Sequence, residues 1–120
     1  EPMAGLDPAG RRAVLNMISD FRRDLGCAVV MVSHSMDDIA RSADRVVILR
    51  GGEIYKNGTP AEVFRNADEL QSMGLAAPEV TYIMHKLDVF EFPVNLHATT
   101  INDAADSIMA LFKEQSGERP

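Results

Sequence analysis

The chain has 120 residues, 46% of them hydrophobic and 25% charged, an ordinary globular composition able to bury roughly 65% of the surface its unfolded state exposes. Its net charge of −6 resides wholly in residues 61–120, which hold ten Asp/Glu against four Lys/Arg, and this argues against nucleic acid as a partner. No apolar run approaches the ~20 residues of a membrane-spanning helix, and no signal-peptide pattern opens the chain. The single cysteine, Cys27, rules out an internal disulfide and points to a reducing compartment.

The sequence begins at Glu1-Pro2 without a methionine and reads as a piece of a longer protein. Asp7-Pro8 predicts a helix start, with Asp7 capping free amides and proline pre-set for the first helical position. Val14, Met17, Ile18, Phe21 and Leu25 recur at helical spacing on one face, Arg11, Arg12, Arg22 and Arg23 lie opposite, and Gly26 is a natural stop. Cys27 to Val32 is continuously apolar, which predicts a strand covered on both faces as in a parallel sheet, with Cys27 a small buried apolar residue.

Ser35-Met36-Asp37-Asp38 has the spacing of a capping box for a short helix reaching about Ser42. Val46–Leu49 and Glu53–Lys56 read as two strands, and Gly51-Gly52 between them accepts the positive φ angles of a tight turn. Thr59-Pro60-Ala61-Glu62 predicts a second capping box leading to Phe64, and Asn66 to Glu69 a third for a helix ending near Gly74. Pro78 to Leu87 places Val80, Ile83, Met84 and Leu87 on one helical face, while Leu87 to Pro93 reads as irregular or weakly extended. Thr100 to Asp103 caps a last helix with Ile101, Ala105, Ile108, Leu111 and Phe112 on its apolar side, and 115–120 reads as a frayed end. That apolar stripe suits either packing on its own domain or dimerisation; Ile108→Lys would separate the two. The expected class is α/β up to about residue 58, with a helical remainder.

Two polar residues stand out. In open α/β sheets ligands bind beyond the carboxyl ends of the strands, and His34 follows the expected strand directly, where an imidazole could donate to a phosphate oxygen. A lone histidine in such a place is otherwise a satisfied structural residue. Glu1, ordinarily a solvated carboxylate, precedes a short loop and the first helix; beside an imidazole it would make a water-polarising pair for phosphoryl transfer.

These blocks carry a resemblance. Glu1-Pro2-Met3-Ala4-Gly5-Leu6-Asp7-Pro8 resembles the end of a Walker B motif running into the D-loop of an ABC-transporter ATPase. Val30 to Asp38 (VMVSHSMDD) resembles the H-loop, Asp44 to Leu49 with Gly52-Glu53-Ile54 the strand pair after it, and Gly58 to Val63 the next helix. The match covers about residues 1–65, with every block in order. It implies the C-terminal part of a P-loop ABC ATPase fold with a β-hairpin (1–65), followed by a small helical C-terminal extension (66–120) as a possible dimerisation region. It further implies Glu1 as the catalytic carboxylate and His34 as the switch histidine on the γ-phosphate, with Ser33 beside it in the H-loop. Gly5, Leu6 and Asp7 fall in the D-loop at the nucleotide site and dimer interface.

Leu75 to Thr81, Phe92-Pro93-Val94 and Thr99-Thr100-Ile101 are similar to the extension of energy-coupling factor (ECF) ATPases. That likeness implies a second ATPase subunit, a transmembrane scaffold, a place on the cytoplasmic face of the membrane, and uptake of a vitamin or metal ion such as cobalt. The ATPase of another ABC importer is the nearest alternative; a non-transport ABC ATPase acting on chromosomes or ribosomes would want basic surface that the acidic second half lacks.

No GxxxxGK[ST] loop and no LSGGQ-like signature occur, and the Walker B aspartate that would hold Mg²⁺ would precede Glu1. ATP and Mg²⁺ are therefore expected in the full-length protein and not on these residues alone, which are expected to be inactive. The chain by itself is expected to self-associate through the apolar edge at Cys27–Val32.

Overall fold

The computed structural model describes residues 1–117. Helix α1 spans Pro8–Leu25, followed by α2 (Met36–Ser42), strands β1 (Val46–Arg50) and β2 (Glu53–Gly58), then α3 (Pro60–Phe64), α4 (Ala67–Ser72), α5 (Glu79–Val89) and α6 (Ile101–Gln115). The chain is thus mixed α and β, and β1 and β2 form a two-stranded antiparallel sheet. It divides into two compact units, Glu1–His34 and a second that starts at Ser35.

In the first unit local signals set α1. The Asp7 carboxylate accepts a hydrogen bond from the Gly10 N–H at 2.7 Å, Pro8 opens the helix, and Gly26 ends it in the left-handed conformation. Leu15 is buried, yet Met17, Phe21 and Leu25 on the expected apolar face are exposed. Amphipathic spacing marks a face able to be covered; it does not supply the cover.

Residues 27–32 depart from expectation. They form no strand, Val30 is 93% and Val32 75% exposed, and Cys27 is exposed rather than buried. A strand of a parallel sheet takes its hydrogen bonds from neighbours distant in sequence. Among the described residues the only ladder is β1–β2, so an apolar run here has nothing to pair with.

The second unit is built from α2 to α6. Gly51 and Gly52 both take positive φ, 59° and 84°, joining β1 and β2 in a two-residue turn. The register runs Val46↔Gly58, Val47↔Asn57, Ile48↔Lys56, then Leu49↔Ile54 and Arg50↔Glu53, so Tyr55 is an extra residue bulged out of β2. Thr59 and Glu62 form a reciprocal capping box at α3.

One core cluster joins Ala40 of α2, Val46 of β1, Val63 and Phe64 of α3, Ala67 and Leu70 of α4, and Ala77. It packs straight across position 65/66, where the expected parts meet. Phe64 and Leu70 are fully buried, and each such side chain contributes roughly 1.5–3 kcal/mol of transfer free energy. A second cluster joins Val80 and Met84 of α5 with Ala98 and Ala104 of α6, and Leu87, Val94 and Ile108 pack against it. Ile108 is therefore a packing residue, whereas Ile101, Met109 and Phe112 of the same helix are exposed.

Two local readings change. Asn66 makes no side-chain cap to α4; its amide Nδ2 donates instead to Glu69 Oε2 at 3.3 Å. Helix α5 continues to Val89 through the start of the segment read as irregular. It ends in a Schellman motif, with Glu91 N–H donating to Asp88 O at 2.8 Å and Phe92 N–H to Leu87 O at 3.0 Å.

Candidate functional site

The first unit brings Glu1 and His34, 33 residues apart in the chain, into contact. The backbone N–H of His34 donates to Glu1 Oε1 at 3.0 Å, and the imidazole Nδ1 meets the same oxygen. The Glu1 side chain is 34% exposed, while the imidazole is 85% exposed, so the ring's outer edge faces solvent. The His34 side chain holds the Glu1 carboxyl below its usual value; desolvation opposes this, and the His34 backbone N–H adds a lesser lowering. An ionised carboxylate with an imidazole alongside can accept a proton from, or orient, a water molecule.

The D-loop-like residues occupy a turn between Glu1 and α1. Leu6 N–H donates to Met3 O at 3.3 Å, Leu6 O accepts from Arg11 Nε at 3.2 Å, and Gly5 has φ 75°, where a side chain would be strained. The Asp7 carboxylate is engaged in capping α1. Ser33 is half-buried next to His34.

A second polar cluster carries no mark in the sequence. The Glu69 carboxylate accepts from Lys56 Nζ at 2.7 Å, from the Tyr55 hydroxyl, and from Asn66 Nδ2 at 3.3 Å. Lys56, then Tyr55, bring its pKa down to about 2, and Glu69 in turn raises that of Tyr55. No spacing rule links residues 55, 56 and 69; only the fold assembles them. Among the described residues no group of three or more His, Cys, Asp or Glu side chains gathers as a metal site, and no helix is long and apolar enough to cross a membrane.

Comparison with known proteins gives the class first: the chain is similar to ATP-binding proteins of transporters. More particularly, it is similar to those of energy-coupling factor transporters. It is 39% identical over 116 residues to the energy-coupling factor transporter ATP-binding protein EcfA2 of Clostridium tetani, covering 97% of this chain and 40% of that protein. The Clostridium perfringens protein of the same name is 39% identical over 97% of this chain, and that of Symbiobacterium thermophilum is 39% identical over the whole of this chain and 42% of that protein. The chain spans about two fifths of the length of these curated relatives, 40% to 42%. No family model matches it.

Proposed function

We propose that these residues are the C-terminal part of the ATP-hydrolysing subunit of an ECF-type importer, with Glu1 and His34 in its nucleotide site. The reading is supported above all by the Glu1–His34 contact, which joins the two segments that resemble the Walker B end and the H-loop. In this role Glu1 orients or deprotonates the attacking water, and the solvent-facing edge of His34 contacts the γ-phosphate. Gly5, Leu6 and Asp7 lie at the interface with a second ATPase subunit. The parent protein binds ATP and Mg²⁺, and none of the side chains described here is assigned as a ligand of the metal.

The parent would sit on the cytoplasmic face of the membrane against a transmembrane scaffold, driving uptake of a vitamin or metal ion. These 120 residues alone would be inactive and prone to self-association. Residues 66–120 would form the C-terminal extension. Exposed Phe90, Phe92, Met109 and Phe112 favour a second reading of that extension, as a surface that pairs two ATPase subunits.

The test uses the whole protein. Glu1→Gln is expected to bind ATP without turnover, and His34→Ala to lower turnover by about 10²–10⁴-fold, the range for one positioned acid–base group. Steady-state hydrolysis equal to wild type in both variants would remove the catalytic assignment.

A further inference from the structure

Glu1 is gripped at one oxygen by two chemically different groups of one residue. The His34 peptide N–H and the imidazole Nδ1 both meet Oε1, the N–H at 3.0 Å, leaving Oε2 to other donors. The two grips differ in permanence. The imidazole is 85% exposed and can turn about its side-chain torsions; the N–H is fixed in the main chain. An imidazole that turns to a phosphate oxygen lets go of the carboxylate, whereas the N–H stays.

Resting on the reading that Glu1 aligns the attacking water, we propose that the His34 peptide N–H is the positioning group for Glu1. It anchors Oε1 and so presents Oε2 to the water whether or not the imidazole is engaged elsewhere. His34 then serves two roles through separate atoms: its ring toward the phosphate, its backbone toward the carboxylate.

An amide-to-ester replacement isolates the N–H. Cys27, after Gly26, permits ligation of a synthetic segment starting at residue 27 to the remainder of the whole protein, with the Ser33–His34 amide replaced by an ester. The ring is untouched. The expected result is a fall in kcat for ATP hydrolysis of about 10–100-fold, the scale of one hydrogen bond to a charged group, with KM unchanged.

An unchanged kcat overturns the proposal, as does a loss of kcat accompanied by a rise in KM, which signals general disturbance. Should the ester fail to fold, His34→Pro, lacking N–H and ring, is compared with His34→Ala, lacking only the ring; equal kcat in the two overturns the proposal. Glu1→Gln and His34→Ala are measured alongside. If these lose turnover and the ester does not, the amide assignment alone fails. If neither loses turnover, the catalytic reading fails with it.

Discussion

Glu91 takes φ 64°, the one non-glycine residue among those described with a positive φ. It occupies the C′ position of the Schellman motif that ends α5, where glycine is preferred because a Cβ crowds the following carbonyl. Glu91→Gly is therefore expected to stabilise the chain by about 1 kcal/mol, after allowing for the greater freedom glycine gives the unfolded state. A urea titration checks this, as a rise in midpoint with no change in m-value. A lower midpoint would mean that the glutamate side chain contributes more than its backbone strain costs. The sequence offers no glycine or asparagine stop near Val89, and helix α5 ends instead against a residue that resists the conformation.

Local chemistry decides which elements were legible. Asp7-Pro8, Ser35, the Gly51-Gly52 pair and Thr59-x-x-Glu62 each act within a few residues, and the helices and hairpin start or turn where they stand. The 27–32 run failed because a parallel strand is defined by partners that no local pattern contains. The Asn66–Glu69 box failed for a related reason: Glu69 is already taken by Lys56 and Tyr55 from β2. That cluster ties the hairpin to α4, and it carries a pH signature. With its pKa lowered from 4.5 to about 2 on folding, ionised Glu69 adds stability that is complete above about pH 4.5 and lost as pH falls through 2. Comparing urea midpoints of wild type and Glu69→Gln across this range should show a gap at pH 6 that closes toward pH 2. A gap that does not depend on pH would place the effect in packing rather than charge.

For the molecule as a whole, apolar surface is distributed unevenly. The second unit encloses two clusters, whereas the first buries only Met3 and Leu15 among its large apolar residues and leaves Leu25 71%, Val30 93% and Val32 75% exposed. Apolar side chains this exposed favour association. Static light scattering of the isolated chain is expected to give an apparent mass that climbs above a single chain with concentration, and Val30→Asp with Val32→Asp to suppress the climb. A constant monomer mass at high concentration removes the expectation. Position beside the expected strand end suggests a Glu1–His34 pair and the resemblance sharpens it, while composition leaves each residue a plain structural reading; a closure over 33 residues brings the two together.

The bulge at Tyr55 bears on which insertions and deletions the hairpin can accept. Consecutive residues of a regular strand face opposite sides of the sheet, yet Tyr55 and Lys56 both reach Glu69. The supernumerary residue breaks that alternation and lets neighbours turn the same way. Trimming one residue from 54–56 would restore strict alternation and strand either the phenol or the ammonium on the far face. Hairpins of similar proteins should therefore vary in length at the Gly51-Gly52 tip more readily than along β2.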